Sequence, residues 1–237
     1  SKGGQHMKIN SKISSSLVLV IALLAVACNE VNPVSGGKPF SADELFSHEF
    51  SIISQSVFQL QGVSGSVEIV GVGGGDAVII SGRKRVFSSS QQDAVQHLQD
   101  LEVEIQNSPD RITVKTVQPH NTRNREFFID YTVSVPLNMR LVVSNVSGSI
   151  AVTSLYEDVT ANNISGPILL RDIVGNVSAE TVSGTVDCEV ILPLDGNINM
   201  KTISGNVQLT VPENTSANFF ASVVSGSIAI SNIVLED

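Results

Sequence analysis

Most of this chain is written in a nine-residue unit whose fourth, sixth and ninth positions are apolar. Consecutive copies occupy residues 138–146, 147–155, 156–164, 165–173 and 174–182. Their apolar sets are Leu141/Val143/Val146, Ile150/Val152/Leu155, Val159/Ala161/Ile164, Ile168/Leu170/Ile173 and Val177/Ala179/Val182. Positions four and six are two apart and so share one face of a strand. The ninth position is expected to point inward at a turn. Every second unit opens with Ser-Gly, at Ser147-Gly148, Ser165-Gly166, Ser183-Gly184, Ser204-Gly205 and Ser225-Gly226. The true period is therefore about eighteen residues, two short strands and two corners, lengthening to 21 after Ser183. A repeat of that length predicts a solenoid, in which each coil buries its apolar side only against its neighbours.

The same unit appears earlier, at residues 55–63 (Phe58, Leu60, Val63) and 64–72 (Val67, Ile69, Val72). The later coils supply Val186/Cys188/Val190, Ile198/Met200/Ile203, Val207/Leu209/Val211, Ala217/Phe219/Val224 and Ile228/Ile230/Ile233. Between Arg83 and Pro136 the rhythm breaks. Ser90 is placed to cap a short helix reaching about Asp100, and residues 101–106 and 111–116 alternate around an Asn107-Ser108-Pro109-Asp110 turn. Residues 127–135 read as one more strand, with Tyr131, Val133 and Val135 inward. The expected fold is all-β: a single-stranded β-solenoid, or β-helix, of 18–21-residue coils with a helix-plus-hairpin elaboration. The alternative is an antiparallel meander or sandwich, which places Ser-Gly at every second turn equally well. The absence of Trp and an aromatic content of 5% agree with a core of slim branched side chains.

The first 27 residues read as an address. Residues 1–6 are taken as upstream sequence, with Met7 as the start. Lys8 and Lys12 precede an eleven-residue apolar run, 17–27, too short to span a hydrocarbon core of ~30 Å but suited to a signal peptide. The run ends Leu24-Ala25-Val26-Ala27-Cys28, which resembles the lipobox of bacterial lipoproteins. The resemblance implies that Cys28 is acylated, becomes the mature N-terminus and holds the protein to a lipid bilayer. Asn29 after it implies sorting to the outer membrane in a Gram-negative envelope. The division read from the sequence is therefore 1–27 signal, 28–45 lipidated Cys and flexible tether, rich in Pro and Gly, and 46–237 solenoid domain.

The series from Val63-Ser64-Gly65-Ser66-Val67 to Val224-Ser225-Gly226-Ser227-Ile228, with Tyr131-Thr132-Val133-Ser134-Val135-Pro136 between, resembles the bacterial "putative adhesin" β-strand-repeat domain. What this implies is a β-solenoid in an exported or anchored protein. It brings no catalytic residues with it.

Charge and chemistry narrow the function. The net charge of −9 becomes −12 once the three lysines of residues 1–27 are removed, so nucleic acid and anionic lipid headgroups are disfavoured as partners of the folded domain. Of the four histidines, His6, His48, His97 and His120, none is spaced for a metal or paired with a nucleophile, and no cofactor is expected. Cys188 alternates inward with valines and reads as a buried thiol. Gly71–Asp76 reads as a turn, because no Lys-Ser/Thr follows it. Asp187/Glu189 and Glu102/Glu104 point outward in pairs, and Arg83-Lys84-Arg85 is the basic cluster, available to an acidic glycan or partner. From Ser147 to Asp237 there are two basic residues, Arg171 and Lys201, and ten acidic ones, set in a wall of Ser, Thr and Asn. These features predict a non-enzymatic, lipid-anchored envelope adhesin or interaction module for glycan or protein. One rival is a polysaccharide-acting enzyme on a β-helix, which requires Asp187 and Glu189 to converge with Arg171 or Lys201. Another is an envelope-stress sensor that binds a membrane signalling partner.

Overall fold

A computed structural model describes residues 38–231 except Asp195, Asn214 and Ser216. The signal, Cys28 and Ile233 lie outside the described residues. In chain order the elements are β1 (Phe40–Ser51), β2 (Val57–Gln61), β3 (Val67–Val72), β4 (Ala77–Ser88), α1 (Gln91–His97), β5 (Glu102–Asn107), β6 (Arg111–Val117) and β7 (Glu126–Pro136). The repeats then supply β8 (Arg140–Ser147), β9 (Ile150–Leu155), β10 (Val159–Ser165), β11 (Ile168–Val174), β12 (Val177–Ser183) and β13 (Val186–Ile191). The last four are β14 (Gly196–Ser204), β15 (Val207–Thr210), β16 (Ala217–Ser225) and β17 (Ile228–Ser231).

Two sheets face each other, ordered β1-β4-β7-β3-β9-β11-β13-β15-β17 and β16-β14-β12-β10-β8-β2-β6-β5. From β7 and β6 onward every pairing is parallel, so each coil gives one strand to each sheet. Leu141 pairs with Val159, Val159 with Val177, and Val177 with Ile198, steps of 18, 18 and 21 residues. This is the predicted β-solenoid, and the antiparallel sandwich is ruled out. The order of coils in space departs from their order in the chain. The β2/β3 coil lies between β6/β7 on one side and β8/β9 on the other. The chain makes one coil, leaves through β4, α1 and β5, returns on its outer side, then resumes on its inner side.

The core is one continuous apolar column, mostly aliphatic, with Phe58, Leu60, Val114, Val133, Leu141, Val152, Ile168, Leu170, Met200 and Leu209 fully buried. The expected ninth-position rule is only half right. Leu155 and Ile173 are buried, because Ser154 and Asp172 just before them take left-handed φ of 57° and 54° and flip the strand's parity. Before the Ser-Gly corners no such flip occurs, and alternation simply continues. There the inward residue is the eighth, namely Asn145, Asn163, Thr181 and Thr202, while Val146 and Ile164 stand 44% and 52% exposed. Val182, Ile203, Val224 and Val72 are exposed in the same way, and Val63 is half-buried; Ile228, expected inward at a fourth position, is exposed because it lies on β17, the last strand of its sheet.

The buried amides and hydroxyls explain the Ser-Gly signature. Asn145 Nδ2 donates to the carbonyl of Gly65 (2.9 Å) and Asn163 Nδ2 to that of Gly148 (2.7 Å). Thr181 Oγ1 donates to the carbonyl of Gly166 (3.2 Å) and Thr202 Oγ1 to that of Gly184 (3.0 Å). Each glycine N–H in turn reaches the next coil's serine carbonyl, as from Gly166 to Ser183 at 2.7 Å. Gly166 has φ +128°, and a Cβ there would stand 2.1 Å from the carbonyl oxygen of Gly148. Only glycine fits such a corner.

At the other end the regular stack is closed by antiparallel structure. β4 pairs with β7, and β1 runs along β4 for its whole length. Residues 40–45, assigned above to a tether, therefore belong to β1. Phe46, Gly82 and Tyr131 fall in one row, the missing side chain at Gly82 leaving room for an edge-on contact of the two rings at 5.8 Å. The Tyr131 hydroxyl meets Thr116 Oγ1 across the core (2.8 Å), and burial raises its pKa to about 12. The helix and hairpin form where predicted, and Ser90 caps α1 by accepting from Asp93 N (3.2 Å). Arg125 grips Asp93 with two bonds of 2.7 and 2.6 Å, tying the 118–125 loop to the helix.

Candidate functional site

Stacked parallel coils place like over like about 4.8 Å apart, so any polar residue at a repeated outward position becomes a row. One such row runs up the corner that opens the strands β10, β12, β14 and β16. Arg140 meets Asp158 at 3.5 Å. Asp158 Oδ1 accepts from Asn176 N (3.1 Å) and Nδ2 (2.9 Å), and Asn176 Oδ1 accepts from Asn197 N (2.8 Å). Asn218, paired with Asn197, continues the row. Beside it, on the outer face, stand Thr160, Ser178, Asn199 and Phe220, successive partners in register. Together they line an open groove of about 400 Å³. Phe220 is 57% exposed and presents a flat apolar ring among amides and hydroxyls. The sequence reading missed this row, although Asp158, Asn176, Asn197 and Asn218 recur at the coil period and were legible as such.

A second concavity, about 650 Å³, lies on the outer face where β1, β4, β7 and the corner before β3 meet. It is lined by Leu45, Ser47, Ser81, Arg83, Arg85 and Thr132, with Ser66 and Asp130 at its far side. The basic cluster is thus split by strand alternation. Arg83 and Arg85 face the notch, while Lys84 turns to the opposite face and approaches Glu44 at 3.7 Å. Arg85 Nε holds Asp43 at 3.1 Å, and its guanidinium lies 5.8 Å from the ring centre of Phe87.

The two outward acid pairs differ in their surroundings: Asp187 is held by an arginine, and Glu102 and Glu104 are exposed. Arg171 is bound to Asp187, on β11 and β13 of one sheet, and Glu189 shares that sheet. Lys201 lies on β14 in the other sheet, in register with Glu180. Of the two bases that the polysaccharide-acting alternative allowed, Arg171 thus joins Asp187 beside Glu189 on one outer face and Lys201 does not, and the neighbouring concavity takes in Glu189 without Arg171 or Asp187. Glu102 and Glu104 lie on β5 and are exposed. Cys188 is fully buried, and that burial pushes its thiol pKa up to about 12, which keeps it protonated and unreactive. His97 contacts Asp100 (2.6 Å) and Asp93 (3.6 Å), and His48 has its pKa lowered by burial and by Lys84. Among the described residues, no group of three or more His, Cys, Asp or Glu is placed to hold a metal ion. No helix among them is long and apolar enough to cross a membrane.

The Toastrack DUF4097 family matches residues 50–237, all of the solenoid. The chain belongs to the Toastrack family. Among curated proteins none matches the chain in sequence. Among solved structures, this Toastrack chain is similar to a "putative cell adhesion protein" from Clostridium sporogenes, with 10% identity and a TM-score of 0.38 over 80% of this chain and 98% of that one. It is also similar to a "putative adhesin" from Bacteroides fragilis, with 9% identity and a TM-score of 0.35, covering 79% and 97% of the two chains. A "putative adhesin" from Parabacteroides distasonis covers the same shares at 10% identity, with a TM-score of 0.23. No residue of this Toastrack protein takes a role from these likenesses.

Proposed function

We propose that this Toastrack protein is a non-enzymatic adhesin or interaction module of the bacterial envelope, held to the membrane by lipid on Cys28 and binding neutral glycan along its groove. The observation that carries the reading is the coincidence of an exposed Phe220 ring with the row Asp158, Asn176, Asn197, Asn218. Amides offer both donors and acceptors to sugar hydroxyls. An exposed aromatic face gives an apolar platform for the C–H side of a pyranose. Because the row repeats with the coils, a polysaccharide laid along the stack meets several such contacts at once, and weak ones add through effective concentration. The names carried by the similar structures agree with an adhesive role.

The test is binding of the full chain to an array of neutral envelope and host glycans. Phe220→Ala should weaken the best binder at least tenfold without changing thermal stability. No neutral binder, or one indifferent to Phe220→Ala, would sink the glycan assignment. The anchor is tested separately: Cys28→Ala should move the protein from the detergent phase to the aqueous phase of a partitioning assay, and unchanged partitioning would reject acylation.

A further inference from the structure

The arginine notch lies outside that groove, on the antiparallel end of the molecule. Three rows of outward side chains cross it: Asp43–Arg85–Phe128, Leu45–Arg83–Asp130 and Ser47–Ser81–Thr132. Arg83 and Arg85 are two residues apart on one strand, hence on one face and about 7 Å apart. Asp130 sits directly across from Arg83 in register, yet its Oδ1 is taken by Ser66 N (2.8 Å) and Ser66 Oγ (3.0 Å). Among the described residues Arg83 has no carboxylate within 4 Å, and Arg85 uses only its Nε on Asp43. Guanidinium donors are thus turned toward a concavity with their forks unfilled, on a chain whose net charge is −9. At physiological salt, charges more than about 8 Å away are screened, so an anion at the notch feels the arginines more than the acidic whole.

The rest of the lining says which anion. Ser47 Oγ and Ser81 Oγ stand 3.0 Å apart, with Thr132 in the same row, so a ladder of hydroxyls flanks the guanidinium pair. Leu45 and the arginine stems supply apolar surface beside them. The volume lies within the roughly 300–1,000 Å³ of ordinary small-ligand sites. A planar carboxylate suits a bidentate guanidinium. Hydroxyls beside it suit a polyol, and the apolar patch suits the C–H face of a ring. β4 and β7, which carry Arg83, Arg85 and Thr132, are paired on both edges and offer no main-chain row to a peptide; β1 is the terminal strand and pairs only with β4, so a peptide is the competitor that the test includes. We infer that the notch is a second binding site, in which Arg83 and Arg85 take the carboxylate of a hexuronate while Ser47, Ser81 and Thr132 meet its ring hydroxyls. A protein with both sites holds neutral and acidic saccharide on separate parts of one stack.

The experiment is calorimetric titration of the full chain with trigalacturonate, with its uncharged methyl ester and with triglutamate. Trigalacturonate should bind, and more weakly as salt rises; the ester and the peptide should bind at least tenfold less tightly. Arg83→Ala should cost at least tenfold, Arg83→Lys less, and both should leave thermal unfolding unchanged because the side chain is exposed. Phe220→Ala should leave trigalacturonate binding intact, which separates this site from the neutral-glycan groove. The inference is overturned if trigalacturonate fails to bind, if the ester or triglutamate binds as tightly, if Arg83→Ala has no effect, or if Phe220→Ala abolishes the binding.

Discussion

The two ends of this molecule handle polar side chains in opposite ways. In the antiparallel end, charges are partnered across unlike strands and loops: Arg125 with Asp93, Lys38 with Glu126, Arg85 with Asp43. In the parallel stack the polar contacts are mainly neutral, amide or hydroxyl to backbone, as at Asn145, Asn163, Thr181 and Thr202. Register accounts for the difference. Parallel coils set each residue directly over its counterpart, where like charges repel and neutral donor–acceptor groups bond. Antiparallel pairing and a helix bring different sequence positions together, so opposite charges can meet.

That contrast can be broken most violently in the stack. Ile168→Asp places a charge in a fully buried slot between Ile150 and Val186, and should destabilise by more than about 4 kcal/mol. Loss of protease resistance along the stack would register it; a normally resistant variant would contradict the continuous core. Next in size is Gly166→Ala, which combines a forbidden φ with a 2.1 Å approach to backbone and should cost about 3 kcal/mol or more. Gly74→Ala is its control. Gly74 has φ +71° but nothing within 4 Å, so the change should cost only about 1–2 kcal/mol in chemical denaturation. Equal costs at the two sites would mean that close stacking at the corner matters little.

The smallest effect belongs to the antiparallel end and is pH-dependent. Hydrogen bonds from Arg125 and Ser88 hold the Asp93 carboxyl below the usual carboxylate range. A group lowered on folding adds stability that is fully present above its unfolded pKa, about 3.9, and disappears as pH falls toward its folded value. Asp93→Asn should therefore lower Tm by a few degrees at pH 7, and the gap to wild type should narrow steadily below about pH 4. A gap that stays constant with acidification would show that Asp93 acts through packing, not charge.

Much of this was legible in the sequence because apolar spacing and coil period are one-dimensional signals. The coils, the Ser-Gly corners, the helix cap at Ser90 and the inward Cys188 were all within reach. The ninth-position rule was half wrong for a local reason. Whether a corner flips parity depends on the φ of Ser154 or Asp172; serine gives no signal for a left-handed backbone, and aspartate, although enriched there, is equally common elsewhere in turns. β1 was hidden because its mate, β4, lies about 40 residues later and the pair alternates poorly between apolar and polar. The row from Asp158 to Asn218 was legible in the coil period, but the Phe220 ring beside it and the arginine notch depend on which rows lie side by side, which the sheet order reveals.

The interposed β2/β3 coil makes the stack modular in one direction only. Its two strands are gripped on both sides by segments that come later in the chain, so an extra repeat there would have to part existing ladders. Beyond Ser147 each new turn simply lies on the last. Duplication of an eighteen-residue module should thus lengthen the far arm freely, carrying the groove away from the notch, which stays fixed beside β1.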